Sequence, residues 1–309
     1  MGKLGTSTYS ETLKNYAFGV AQDVKTTLAD FIAPRVPVGV ANGQFKKFNT
    51  KNAFQIYDTL RAVGGKAKRI EFEATDGTFN CAANALELPI DDQERERAGS
   101  ADSALEEAKV RTLVISAALA REKKVFDLVK SGVSATASTG SWSSDSSGTY
   151  DPIDEIDQQI VSIATATGLL PNRMVIGLGA WRILKNHVNV LKRQQGTTDK
   201  GLSLAGLAAM LVNPAMDIRV GVMGYDANKM GKSESKSNVV GSEIFIFHGS
   251  DNPTQYDPGF AKTFSIGANS VEAVRQYRDE GCRSDIVAVD WSEDVQVVST
   301  LCAKRITVS

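Results

Sequence analysis

The sequence predicts an α+β protein. Three observations carry this: helical and strand-like stretches alternate irregularly along 309 residues, one helical stretch is far longer than average, and there is no internal repeat. With hydrophobic residues at 42% and charged residues at 23%, the chain holds enough apolar material for one large domain or two modest ones. No apolar run approaches the roughly 20 residues a membrane helix needs. The N-terminus MGKLGTSTYSETLKNYAFGV lacks the apolar core of a secretory signal, so a cytoplasmic protein is expected.

Taken in order, residues 8–32 space Leu13, Tyr16, Val20, Val24, Leu28 and Phe31 three or four apart, one apolar stripe on one helix. Pro34 and Pro37 end it and make IAPRVPVG a stiff connector, so the N-terminal segment is expected to dock on something else. GQFKKF reads as a strand. Residues 50–76 read as a long β-hairpin turning at Gly64-Gly65, and TFNCAANALELPI as a further strand region. Ser100 or Asp102 then caps a helix that runs to about Lys130 and stops at Gly132. About 29 residues at 1.5 Å each span about 44 Å. Its middle, LVISAALA, is apolar nearly all round, which predicts a beam covered on both faces. The Ser/Gly/Thr-rich residues 131–149 read as a linker and the best domain boundary. Beyond it come a capped helix ending at Gly168, a strand–turn–helix at PNRMVIGLGAWRILKNH, a short helix near 202–212, strands IRVGVM and EIFIFH joined by a polar loop, and a strand-rich C-terminus.

The chemistry of the chain excludes more than it suggests. Net charge is -1, without the basic excess of a protein that grips phosphates. Cys81, Cys282 and Cys302 are odd in number and far apart, neither a disulfide framework nor a zinc site. Gly177-Leu178-Gly179 sits between a strand and a helix, but Arg182 stands where a dinucleotide fingerprint needs its third glycine. The ordinary explanation is a tight turn; a nucleotide-dependent α/β enzyme using it is an alternative to be tested. Asp151, Asp154 and Asp157 mark a helix start, and His187 and His248 lack the companions of a triad or metal cluster. No catalytic residue, cofactor or metal is expected.

Several strings, in this order, resemble the tailed-bacteriophage major capsid protein family: IAPRVPV and GQFKKF, then YDTLRAVGGKAKRIEFEATDGTFNCAANALELPIDDQERERA, LAREKKVFDLV, PNRMVIGLGAWRILKNH, GSEIFIFH, AKTFSI and VEAVRQYRD. The resemblance spans nearly the whole chain and rests on order and spacing. It implies the HK97-like capsid fold: an N-terminal arm at 1–49, an extended loop (E-loop) at 50–78, a peripheral domain at 79–149 and 284–309 with a spine helix at 102–131, and an axial domain at 150–283. The implied function is a major capsid protein that self-assembles into hexamers and pentamers of an icosahedral or prolate shell around phage double-stranded DNA, in the host bacterial cytoplasm. An encapsulin-like cargo shell is the alternative with the same fold. Implied partners are further copies of the chain, a portal, a decoration protein and DNA held without sequence-specific binding, with no membrane. Some family members carry a cleaved N-terminal scaffolding segment. Here the arm begins almost at Met1, so a separate scaffolding protein and no cleavage are expected. Lys66 and Lys68 lie near where other members crosslink, but no partner asparagine is identifiable and no crosslink is expected.

The residues also ask for neighbours on physical grounds. A hairpin of about 12 residues per arm reaches about 40 Å and is marginally stable alone. Arg61, Lys66, Lys68 and Arg69 crowd its tip. A solvated loop is the simpler explanation of that charge. The alternative is that the tip meets an acidic stretch, Asp91, Asp92, Glu94, Glu96, Glu106 and Glu107, at the start of a neighbour's spine helix, where exposed ion pairs fix register more than they add affinity.

Overall fold

In the computed structural model, residues 8–9, 11–23, 27–48, 56, 59–61, 64–67, 69, 74–99, 102–143, 145, 147–194, 201–228, 231–267 and 273–309 are described. The strands in chain order are β1 (Thr8–Tyr9), β2 (Arg35–Val38), β3 (Asn42–Phe48), β4 (Ala74–Asn80), β5 (Ala82–Asp91), β6 (Ala135–Ala137), β7 (Arg173–Gly177), β8 (Asp217–Gly221), β9 (Gly224–Asp226), β10 (Lys236–Asn238), β11 (Glu243–Phe247), β12 (Ala261–Ile266), β13 (Ala273–Asp279), β14 (Ser284–Val297) and β15 (Ala303–Thr307). The helices are α1 (Glu11–Asp23), α2 (Ala29–Ile32), α3 (Asp92–Ala98), α4 (Asp102–Gly132), α5 (Pro152–Thr167), α6 (Leu178–Asn186), α7 (Val188–Gln194) and α8 (Leu204–Met210).

Two main sheets organise the chain. The first runs β1-β13-β14-β12-β2, with β5 also paired to β14. The second runs β6-β15-β11-β7-β8. The long helix α4 is the expected beam. Val110, Leu113 and Val114 near its start pack with Val274, Val287 and Val289 of the first sheet. Val125, Phe126 and Val129 near its end pack with Phe245 and Phe247 of the second. Its last turn is held by Arg305 of β15, whose guanidinium donates to the Lys130 carbonyl at 2.7 Å and pairs with Glu243 at 3.1 Å. A cation at a helix C-terminus meets carbonyls that have no partner within the helix.

Sheet membership cuts across the expected division at residues 150 and 284. Strands β12 and β13 belong to the same sheet as β14, whereas β15 belongs to the other.

Several sequence expectations change. The single helix expected over 8–32 is two, α1 and α2, with Leu28 outside both. A new helix starts because the α4 side chain of Glu122 accepts from the backbone N–H groups of Leu28 (2.7 Å) and Ala29 (2.8 Å). The docking partner of the N-terminal segment is its own chain: Leu13, Ala17 and Val20 of α1 are buried with Val110 and Leu113 of α4. The expected beam is covered on one face only, since Ile115 is 42% exposed and Ser116 and Ala120 are exposed as well.

The Ser/Gly/Thr-rich stretch 131–149 is no loose tether. Residues 135–137 form β6 beside β15. Trp142 is buried and its indole N–H donates to Glu155 Oε2 at 3.0 Å. Asp145 accepts from the backbone N–H groups of Gly148 (2.9 Å) and Tyr150 (2.8 Å), and these bonds hold its carboxyl well below the usual range. Low-complexity composition hid a loop tied down by short polar side chains and by backbone bonds to the C-terminal strand, such as Ser138 N–H to the Thr307 carbonyl. The polar loop after β8 likewise contains the small antiparallel pair β9–β10.

The hairpin expected at 50–76 lies largely outside the described residues. Its root is described, and it begins earlier than expected: β3 pairs antiparallel with β4 from Asn42↔Asn80 to Phe48↔Ala74. Gly64 has φ +81°, a turn conformation suited to glycine.

Candidate assembly surfaces

Among the tip residues, Arg61, Lys66 and Arg69 are exposed and have no ion-pair partner among the described residues; Lys68 lies outside them. Apolar side chains accompany these charges. Ile56 is 97% exposed and Leu60 84%. Exposed apolar side chains beside cations are costly to leave in water.

The acidic stretch is more neutral than its sequence suggests. Asp91 is the N-cap of α3, accepting from the Gln93 N–H at 2.8 Å. Asp92 makes a two-pronged pair with Arg278 of β13, whose hydrogen bonds hold the Asp92 carboxyl below the usual range. Glu94 pairs with Lys109 at 2.9 Å. Glu106 pairs with Arg95 at 3.0 Å, and Arg95 also binds Asp102 and Asp285. Glu96 and Glu107 are exposed and have no such partner among the described residues. Four of the six acids named from sequence are therefore engaged within the chain, and two have no ion-pair partner among the described residues. The missing information was Lys109 and Arg278. The latter reaches Asp92 across 186 positions of sequence, so no local signal could have found it.

The uncovered face of α4 is the second surface. Beside it lies an open groove of about 540 Å³ lined by Ala120, Lys124, Leu128, Ser131 and Val295 among others.

The glycines, histidines and cysteines weighed from the sequence have structural contacts. A Cβ on Gly177 would lie 2.0 Å from the Gly241 carbonyl oxygen, and one on Gly179 would lie 2.5 Å from Ser242 Oγ. These glycines bring the turn against the chain entering β11, so the space a nucleotide phosphate would need is filled, and the alternative of a nucleotide-dependent enzyme at this turn loses its site. His187 is buried and stands 3.5 Å from Asp145, while the His248 ring faces the Leu170 carbonyl. All three thiols titrate higher than usual: burial does this at Cys81 and Cys302, and the hydrogen bond to Asp279 does it at Cys282. Low thiolate character makes poor nucleophiles.

No family model matches the chain. A curated relative, the "Major capsid protein" of Burkholderia phage BcepMu, is 29% identical over 266 residues, 81% of this chain and 82% of that protein. This chain is a homologue of phage major capsid proteins. The fold agrees. The crystal structure of a phage-related protein from Bordetella bronchiseptica RB50 matches with a TM-score of 0.76 at 23% identity, covering 98% of each chain. The capsid of Myoviridae phage XM1 matches with a TM-score of 0.54 at 13% identity, covering 89% of this chain and 90% of that one. The homologue thus has the HK97-like capsid fold. It is a phage shell-forming protein that associates with copies of itself in the virion capsid, and its relatives are structural proteins. No helix among the described residues is long and apolar enough to cross a membrane.

Proposed function

We propose that this subunit builds the hexamers and pentamers of an icosahedral or prolate phage head around double-stranded DNA, in the host bacterial cytoplasm, with a portal, a separate scaffolding protein and a decoration protein as partners. The first sheet with α4 serves as the peripheral domain and the second sheet with α5–α8 as the axial domain. The observation that carries this reading is the exposure of Ile56, Arg61, Lys66 and Arg69, three cations and an apolar side chain held out in solvent. A near-zero net charge suits a container that encloses DNA and later releases it.

Within that shell, the tip residues Arg61, Lys66, Lys68 and Arg69 meet the acidic shoulder of a neighbouring subunit, with Glu96 and Glu107 as its free carboxylates. Asp91, Asp92, Glu94 and Glu106 shape that shoulder through the bonds they make in their own chain. Negative-stain microscopy of the expressed protein, with and without a scaffolding protein, tests the reading. Rings or closed shells that take up DNA support it; shells that enclose protein instead favour a cargo container, and a monodisperse dimer sinks both.

A further inference from the structure

Residues 27–38 join three parts of the molecule. Phe31 packs edge-on against Phe247 of the second sheet with ring centroids 5.7 Å apart. Strand β2 runs parallel to β12 of the first sheet. The third grip is on α4, where Glu122 holds the N–H groups of Leu28 and Ala29. This carboxylate is fully buried. Both of its hydrogen bonds fall on Oε2, and Oε1 is buried without a partner. The cation next to it in sequence, Arg121, turns instead to Asp30 at 2.7 Å and Glu293 at 3.0 Å.

We propose that residues 27–38 form a proton-operated clip: the segment grips α4 firmly when Glu122 carries a proton and loosens its hold when Glu122 is ionised. A proton on Oε1 leaves Oε2 free to accept from both backbone N–H groups, so the grip survives protonation. Ionisation instead places a charge in a buried site with one oxygen unsatisfied, which is costly.

The surroundings support this. Charged groups near the carboxyl are Arg121 on its own helix, Asp30 and Arg35 on the clip, and Glu293 on β14; Arg35 and Arg121 are already shared between Asp30 and Glu293. From β12 comes the neutral Thr263, which accepts from Arg121. Leu28 and Ala29, which the carboxyl holds, pack in an apolar cluster with Val175, Phe245 and Phe247 of the second sheet and the thiol of Cys302; Arg173 and Arg219 lie over the Phe31 ring. Burial pushes Glu122 up to about 7, against the pull of the two N–H donors and Arg121, and Asp30 adds to the push.

A carboxyl raised in the docked state favours docking below its ordinary pKa of 4.5 and loses that contribution as pH rises through about 7. Between pH 5 and pH 8 the undocked fraction should therefore grow roughly 70-fold. The test is hydrogen exchange at the Leu28 and Ala29 amides of the full chain, corrected for the intrinsic pH dependence of exchange. In the unsubstituted protein their protection should fall by roughly that factor; in Glu122→Gln it should be flat across the range. Constant protection in the unsubstituted protein, or an equal slope in Glu122→Gln, overturns the proposal. Should Glu122→Gln not fold, the carboxyl carbon shift of Glu122 in the unsubstituted chain decides: a midpoint near 7 supports the clip, and a midpoint near 4.5 rejects it.

Discussion

Arg121 and Glu293 are among the few charged side chains buried in the described structure, and they bind each other at 3.0 Å. Arg35 reaches the same Glu293 carboxylate at 3.3 Å, and Asp30 pairs with both arginines. Removing one partner of such a cluster strands the others, whereas replacing a pair with apolar groups need not. Arg121→Ala is therefore expected to destabilise the subunit by about 3–5 kcal/mol in urea unfolding. The double variant Arg121→Met, Glu293→Leu should cost less than the single one, because Arg35 and Asp30 keep each other. The cluster also has a pH signature opposite to that of Glu122. Burial raises the Asp30 carboxyl, but Arg121 and then Arg35 more than offset this, so it lies below the usual value. Its contribution is present above pH 3.8 and is lost as pH falls through its lowered pKa. Acid unfolding should accordingly report Asp30, and changes between pH 4.5 and about 7 should report Glu122.

At the scale of elements, legibility followed the range of the interactions. Helix α4 was readable almost to the residue because its apolar pattern, acidic first turns and terminal Gly132 are local signals. Helix α5 was readable for the same reason: Asp151 caps it, accepting from the Ile153 N–H, and Gly168 ends it in the left-handed conformation at φ +66°. The break between α1 and α2 was not readable, since the Glu122 side chain that starts α2 lies 93 positions from Ala29. Helix α3 was absorbed into an acidic run, although its cap, Asp91, was on view as a candidate contact residue. The strand–turn–helix at Gly177 was recognised correctly as a tight turn, and the structure supplies its reason in the Gly241 carbonyl. Gly177→Ala is expected to unfold or grossly weaken the second sheet, seen as a thermal midpoint lowered by many degrees; a variant that keeps its stability would contradict the close approach. Gly64→Ala, at a site with nothing within 4 Å of the added carbon, should cost only the strain of its positive φ, about 1 kcal/mol.

At the scale of the whole molecule, the expectation that three elements need a neighbour becomes more selective. Helix α1 and residues 27–38 dock on their own chain. The acidic shoulder is largely neutralised by Arg95, Lys109 and Arg278. Among the described residues, Ile56, Arg61, Lys66 and Arg69 and the open face of α4 remain exposed. Charge reversal at Arg61, Lys66, Lys68 and Arg69 should leave the thermal midpoint of the isolated subunit unchanged while blocking or misdirecting assembly, read by light scattering and microscopy. Normal shells from that variant would refute the docking of the tip. Reversal at Glu96 and Glu107 should weaken assembly in the same direction, and joining the two sets should restore part of it. Raised salt should slow assembly of the native protein for the same reason.

The order of the strands has a consequence for how the subunit is made. The first sheet combines residues 8–9, 35–38 and 82–91 with 261–266, 273–279 and 284–297. The second is closed by β15, at Ala303–Thr307. The first sheet cannot be completed until β14 has left the ribosome, nor the second until β15 has, while residues 56–69 emerge early. Folding is then dominated by distant pairings and is correspondingly slow. A nascent chain that stops short of β13 and β14 carries residues 56–69 but lacks Arg278 and Asp285, which shape the acidic shoulder. On the proposed docking, only a chain whose sheets are complete can both give and accept a neighbour, so incomplete chains should be left out of growing shells without any separate inspection step.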